Sequence, residues 1–398
     1  MSSIDGILLK ARNFVPLTPT EVARLLAISD SQEESLFEAA REVKEKVFGR
    51  RILLFVPLYI SNECVNDCCY CAFRRSNDRL VRRSLSMEEI VEEVHHLQEE
   101  GHRRVLLVTS EKPHGGLACF LEEVVREIKR KTCIRSIQVN PPPLTVEDCQ
   151  RLYRAGYGTE QVFQETYHWL TYQRMHPPGP KQNYHWRLSA MERAIRGGWN
   201  SLGMGILLGL FDYRYETFSL VAHIRYLEKK FGIGPRSISL PRLCPALGAP
   251  LQNAPSQVDD RTFLRLLAVV RLAVPYAELV LSTREPALLR DQALGVGVSQ
   301  ISAGSHTSPG GYSRPEWEDQ ASQFQISDRR SLAEVIQHLV SKGYFPSFST
   351  IEDELCQLDL TQFRRLVLRG RIRQLVTVHA ALSLKMYLGD HNMNGARL

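Results

Sequence analysis

The 398-residue chain has no apolar run long enough to cross a membrane. A spanning helix needs about 20 consecutive, mostly apolar residues. The longest apolar stretch, SLGMGILLGLF (201–211), is strand-sized. The N-terminus lacks a basic-then-apolar signal pattern, which sets the expectation of a reducing, cytoplasmic setting without disulfides. Excess charge is scarce. A net charge of +6 is too mild to argue for nucleic acid. The basic pairs Arg74-Arg75, Arg82-Arg83 and Arg103-Arg104 are not interleaved with a recognition motif, and read as solvated faces or contacts for an acidic redox partner. Low-complexity segments and sequence repeats are absent. Also missing are the two separated cysteine pairs that a zinc site usually takes.

Cysteine is concentrated in one place. Four of the nine cysteines fall within residues 64–71, which scattered core thiols explain poorly. Cys64, Cys68 and Cys71 are spaced C-x3-C-x2-C in the stretch PLYISNECVNDCCYCAFRRSN. Three thiolates on one short loop can hold three irons of a 4Fe–4S cluster and leave the fourth iron open. A cluster that only transfers electrons is normally closed by four cysteines. An open iron calls for an external ligand, and therefore for chemistry. Cys69 breaks the spacing and reads as a bystander. Cys119, Cys133, Cys149, Cys244 and Cys356 form no motif.

The 43% hydrophobic content supports a sizeable core. Residues 1–50 read as a helical extension. Thr18-Pro19 opens one helix, and Ser31-x-x-Glu34 predicts a capping box for a second. From residue 51 onward, short apolar runs alternate with longer amphipathic stretches. Eight such runs lie at 52–60, 105–109, 134–139, 161–164, 202–208, 237–240, 279–282 and 300–303. Eight strand–helix alternations predict an α/β fold, a parallel sheet closed as a (β/α)8 TIM-type barrel over 51–330. An open doubly wound sheet is the alternative. The Gly203-Met204-Gly205 segment lies inside its run rather than after it, so it reads as close packing and not as a dinucleotide loop. Residues 331–398 predict a helical, basic tail, opened by a Ser331-x-x-Glu334 capping box. It would cover a barrel end or form a small appendage.

In such a barrel the chemistry sits at the C-terminal ends of the strands. Cys64, Ser110-Glu111, Asn140, Gln164-Glu165, Arg242, Arg284-Glu285, Ser302 and Ser305 all fall there. Any one of them could merely cap a helix. A converging ring suits a polar, charged ligand in a mostly dry cavity.

The cysteine loop with Tyr70 before its last cysteine, together with FQETYH (163–168), LSTRE (281–285) and QISAGSHTSPGGY (300–312), resembles the aromatic amino acid lyases of the radical S-adenosylmethionine (SAM) superfamily. That group holds tyrosine lyases (2-iminoacetate synthase of thiamine thiazole synthesis and the FeFe-hydrogenase maturase) and a tryptophan lyase. The resemblance covers roughly residues 50 to 350. It implies one 4Fe–4S cluster on Cys64, Cys68 and Cys71, with SAM on the open iron. It implies that Ser110, Glu111 and Glu165 face SAM, and that Arg193, or else Arg187, pairs with the SAM carboxylate. Arg284 would fork the carboxylate of the amino acid substrate, with Tyr59, Ser302 and Arg242 lining the same pocket. The implied reaction splits the Cα–Cβ bond of L-tyrosine into 2-iminoacetate and p-cresol through a 5′-deoxyadenosyl radical. Tryptophan is the alternative substrate, because the anchoring groups read the amino acid end. A flavodoxin- or ferredoxin-type reductant and a downstream protein taking 2-iminoacetate are the implied partners, with no nucleic acid and no membrane.

Two departures from the family pattern stand out. Where the family has PR-x-R-P, the sequence reads Pro241-Arg242-Leu243-Cys244-Pro245, so one arginine is replaced by Cys244. In the tail, Ser349 and Glu352 occupy the positions of the maturase C-x2-C cysteines, and residues 373–380 lack the later ones. A second cluster would have no thiolate ligands there, which leaves the lyase half of the maturase chemistry.

Overall fold

The structure, a computed structural model, describes residues 3–111, 116–348 and 360–390. The Ser349 and Glu352 positions lie outside them. Eight strands form in chain order: β1 (Arg51–Ser61), β2 (Arg104–Thr109), β3 (Ser136–Asn140), β4 (Glu160–Gln161), β5 (Leu202–Gly205), β6 (Ser237–Ser239), β7 (Glu278–Leu281) and β8 (Gln300–Ser302). Each pairs in parallel with the next, and β1 bonds to both β2 and β8, which closes the barrel. Parallel neighbours need long crossovers, and the helices supply them on the outside.

β1 is a near-continuous apolar run because both of its faces are buried. Ile52, Leu54, Val56, Leu58 and Ile60 of β1 point outward into the main core beneath the helices. The alternate residues point inward, where Phe55 meets Leu106 and Val280 in a small separate cluster. The two glycines of β5 are there for space. A Cβ on Gly203 would lie 2.7 Å from the Gln161 side chain, and one on Gly205 2.6 Å from the Ser239 carbonyl oxygen. The close-packing reading of this segment therefore holds.

The structure shifts several predicted boundaries. The runs at 161–164 and 202–208 overshoot β4 and β5, which continue only as isolated bridges, Glu165 with Ile206 and Leu208 with Arg242. Ser331 and Thr18 cap their helices with Glu334 and Glu21, as expected. Ser31 does not cap. Ser29 is the extended residue, its capping box closes on Gln32, and residues 30–32 already turn before helix Glu33–Phe48 begins.

A ninth strand, β9 (Phe345–Ser347), was not foreseen. It pairs in parallel with the first residues of β1, Arg51 opposite Phe345, on the side that β2 takes from Val56 onward. Its three residues include a proline and show no alternation, so the sequence carries no strand signal there. Helices Leu332–Ser341 and Arg371–Asp390 pack on β9, and the latter also packs on helix Glu33–Phe48. The N- and C-terminal helical regions thus meet at the N-terminal end of the barrel, opposite the ends of the strands that carry the polar ring. Among the described residues no helix is long and apolar enough to cross a membrane.

Candidate active site

The loop after β1 carries the three cysteines and is fastened from several directions. Val65 N–H donates to the Glu111 carbonyl (2.9 Å), Cys69 N–H to that of Met175 (3.0 Å) and Arg75 N–H to that of Asn66 (2.8 Å). The Arg82 guanidinium sits inside the loop. It donates to the carbonyls of Asn62 (2.8 Å), Phe73 (2.9 Å) and Asn77 (3.1 Å), and to that of Arg74. Cys68 is buried, while Cys64 and Cys71 are half-buried. Cys69 turns away, its thiol 3.5 Å from the Arg174 carbonyl.

Two side-chain amides reach the cysteine sulfurs. Asn66 Nδ2 lies 3.8 Å from Cys64 Sγ and also donates to Glu111 (2.6 Å). Gln323 Nε2 lies 3.7 Å from Cys71 Sγ, and its Oε1 accepts from the Tyr59 hydroxyl (3.0 Å). Burial pushes the Cys68 thiol up to about 12 and the Cys71 thiol up to about 11. Such thiols become ligands only against strong positive charge, which a metal cluster brings. A single zinc ion demands that its ligands converge on one point, whereas a cubane places each thiolate on a different iron. No three His, Cys, Asp or Glu side chains among the described residues converge in that way. Three thiols on one loop, with two amides reaching their sulfurs, are a donor set that fits an iron–sulfur cluster with one open iron.

Beside the loop a cavity of about 240 Å³ opens at the C-terminal ends of the strands. The inner cluster of Phe55, Leu106 and Val280 lines it, as do Tyr59, Tyr70, Ser110, Glu111, Glu165, Arg284 and Ser302. Ser110 Oγ donates to the Glu63 carbonyl (2.6 Å). Glu165 adopts φ +70°, a left-handed conformation uncommon for a residue with a side chain. This kink ends the β4 run and turns the carboxylate toward two cations. Lys181 Nζ lies at 2.7 Å and Arg187 Nη2 at 3.3 Å. Burial pushes the Glu165 carboxyl up, but these cations outweigh it, and the group stays below the usual carboxylate range.

Arg187 and Arg193, inseparable by pattern, separate in space. Arg187 lines the cavity. Arg193 is turned away from it. Its guanidinium stacks 3.5 Å from the Trp186 ring centre and donates to the carbonyls of Leu144 (2.6 Å) and Trp186 (2.7 Å). Those carbonyls take donors of Arg193, so of the two arginines Arg187 is the one that faces the cavity.

Across the cavity, the Arg284 guanidinium stacks 3.5 Å from the ring centre of Phe324 and reaches the Arg242 carbonyl (3.4 Å). Its Nε is buried and has no hydrogen-bond partner. Ser302 Oγ accepts from the Thr283 N–H (3.1 Å), which fixes the turn that presents Arg284. Arg242 does not line the cavity as expected. Its side chain points outward, pairing with Glu285 and with Asp260 (2.8 Å). Two carboxylates on that side neutralise it, so it offers the site only a backbone oxygen. Cys244 lies against Arg284 and within 3.7 Å of the same oxygen. Sequence reasoning missed Asn66, Lys181, Gln323 and Phe324. None belongs to a recognisable motif, although Lys181 stands in a stretch, 166–191, that contains no acidic residue.

Known proteins share this architecture. The model of the radical SAM superfamily matches residues 58–221, and that of the biotin and thiamin synthesis associated domain matches residues 239–345. The 2-iminoacetate synthase of Escherichia coli (strain K12) is 34% identical over 341 residues, covering 85% of this chain and 88% of that protein. The crystal structure of HydG, a maturase of the FeFe-hydrogenase, superposes with a TM-score of 0.91 at 40% identity, over 97% of this chain and 85% of that one. HydG from Carboxydothermus hydrogenoformans gives 0.85 at 41%, over 97% and 84% of the two chains. With the cysteine loop and the charged cavity at the mouth of a shared barrel, this chain belongs to the tyrosine lyase family of the radical SAM superfamily, enzymes that work with a 4Fe–4S cluster and S-adenosylmethionine.

Proposed function

We propose that this enzyme splits the Cα–Cβ bond of L-tyrosine, releasing 2-iminoacetate (dehydroglycine) and p-cresol. The observation that carries the reading is Arg284. It is a half-buried guanidinium that lines a cavity whose inner wall is apolar, and its buried Nε has no hydrogen-bond partner. A fork of this kind fits the carboxylate of an amino acid, and the wall of Phe55, Leu106 and Val280 fits an aromatic ring.

Cys64, Cys68 and Cys71 would hold the cluster, with Ser110, Glu111 and Glu165 on the amino side of SAM and Arg187 on its carboxylate. When bound, the cluster and SAM supply a one-electron cleavage that yields a 5′-deoxyadenosyl radical, the hard part of the chemistry. The protein's own work is to position and to exclude. Arg284, held flat by Phe324, fixes the amino acid end and so decides which hydrogen faces the radical; orientation of this kind accounts for a large share of rate. The Tyr59–Gln323–Cys71 chain ties the pocket wall to the cysteine loop, so a shift in one is felt in the other. The dry inner wall keeps water and stray hydrogen donors away. A flavodoxin- or ferredoxin-type protein would supply the electron.

The test is an anaerobic assay of reconstituted enzyme with dithionite, SAM and either tyrosine or tryptophan. Tyrosine should give p-cresol and 5′-deoxyadenosine in step. An indole product from tryptophan, with no cresol, would move the assignment to that substrate. No amino acid-dependent 5′-deoxyadenosine from either would sink the lyase reading.

A further inference from the structure

Helices Trp169–Met175 and Tyr184–Leu188 lie in the crossover between β4 and β5 and leave an aromatic face exposed beside the cysteine loop. Trp169 is 46% exposed, Leu170 63% and Trp186 38%. Beneath Trp169 a ladder of rings runs inward. Ring centres are 5.0 Å apart from Trp169 to Tyr184, 5.0 Å from Tyr184 to Tyr172, 4.1 Å from Tyr172 to His176 and 5.6 Å from His176 to Tyr70. The Tyr70 hydroxyl is bonded to His176 Nε2 at 2.8 Å. Tyr70 stands between Cys68 and Cys71 and lines the cavity. The same helix touches the loop directly, through Met175 and Arg174 to Cys69.

Charge marks this face as well. Residues 166–191 contain no Asp or Glu; of their cations Lys181 and Arg187 turn inward to Glu165, while Arg174 faces outward. Arg174 is exposed, and so is Arg75 on the cysteine loop. Packing alone would account for the buried rings. It does not account for the exposure of Trp169 and Leu170 beside two outward cations, Arg174 and Arg75, over a path that ends at Tyr70 of the cysteine loop.

We propose that this face docks an acidic one-electron donor protein, and that the ring ladder is the medium through which its electron reaches the cluster. The inference rests on the proposed function, in which an external reductant loads the cluster. One electron leaves the donor's redox group and one enters the iron–sulfur cluster. No bond forms or breaks and no proton has to move. Tunnelling falls steeply with each gap between packed groups, and rings in contact leave none of solvent width. A second copy of this chain fits less well, because an isologous contact would set like charges against each other.

Stopped-flow reduction of the reconstituted holoenzyme tests this, following cluster absorbance with reduced flavodoxin and, separately, with dithionite. Arg174→Glu and the double variant Trp169→Ala/Leu170→Ser should lower the flavodoxin-driven rate constant at least tenfold at low salt and weaken its salt dependence. Tyr184→Leu should lower the rate at saturating flavodoxin without changing the concentration giving half of it. Iron content and dithionite-driven reduction should stay as in the unmodified enzyme. Unchanged flavodoxin rates in the surface variants would overturn the proposal. So would a dimer, seen by sedimentation, that these variants convert to monomer. If dithionite-reduced enzyme makes no 5′-deoxyadenosine with tyrosine, the proposed reaction fails, while the docking inference is still judged by the reduction rates.

Discussion

At the scale of single residues, the site is a set of cations whose partners decide their role. Arg284 keeps a donor free, while Arg242, one strand end earlier in sequence, gives its donors to Glu285 and Asp260. Replacing Arg284 by Lys keeps the charge and removes the planar fork. A charge-assisted hydrogen bond contributes roughly 1.5–3 kcal/mol, so KM for tyrosine should rise about 10- to 100-fold. SAM affinity, read by calorimetry, should stay level; its loss would show that Arg284 serves the cofactor instead. The two arginines that pattern could not separate give a second test. Arg187→Ala should weaken SAM binding, whereas Arg193→Ala should leave it largely intact and lower the melting temperature, since it removes the stack on Trp186. The reverse result would make Arg193 the partner of the SAM carboxylate. The cysteine loop could be picked out of the sequence because residue type and spacing are local. The choice between Arg187 and Arg193 could not, because it depends on which way helix Ala190–Arg196 turns against Leu144.

At the scale of elements, the cysteine loop is held by a clip and the cavity by a kink. Arg82 has four backbone carbonyls of the loop and its flanks as acceptors. A buried acceptor left without a partner costs about 1–3 kcal/mol. Arg82→Ala should therefore loosen the loop without unfolding the barrel. After reconstitution its iron content should fall well below about four per chain, with far-ultraviolet circular dichroism unchanged. Full iron loading would show that the loop keeps its shape unaided. Glu165 illustrates where strand prediction stops. The apolar run at 161–164 reads as extended, yet regular pairing stops at Gln161, and Glu165, in a left-handed conformation, keeps only an isolated bridge to Ile206 while its carboxylate lines the cavity. β9 was missed for the opposite reason. Its pairing comes from the exposed start of β1, not from any pattern of its own.

At the scale of the whole molecule, both ends of the chain close the far end of the barrel. His102, just before β2, packs edge-on against Phe348 (6.4 Å), which in turn meets Tyr387 of the last helix (5.7 Å). The imidazole is fully buried without a hydrogen-bond partner, and burial lowers its pKa from the usual 6.5 to about 3. Between those values the unfolded chain binds the proton and the folded one does not. The contribution of His102 to stability is thus complete above pH 6.5 and is lost as pH falls toward 3. Melting curves should show the unmodified protein losing more stability than His102→Leu across that interval. Parallel decline of the two would mean that other groups control it.

Local pattern was enough for the barrel, the family and the cysteine loop proposed to hold the cluster. Strand–helix alternation, burial on both strand faces and thiol spacing are all local, and each is written in consecutive residues. The tertiary structure decided what depends on distant residues meeting. It turned Arg187 rather than Arg193 into the cavity, took Arg242 out of it, brought Lys181 to Glu165, and set Asn66 and Gln323 against the cysteine sulfurs. It also set four rings, edge-on or tilted, between the surface and Tyr70. The orientation of a charged side chain follows from which carboxylate or carbonyl lies nearest after folding, and that is a property of the packed chain, not of any segment of it.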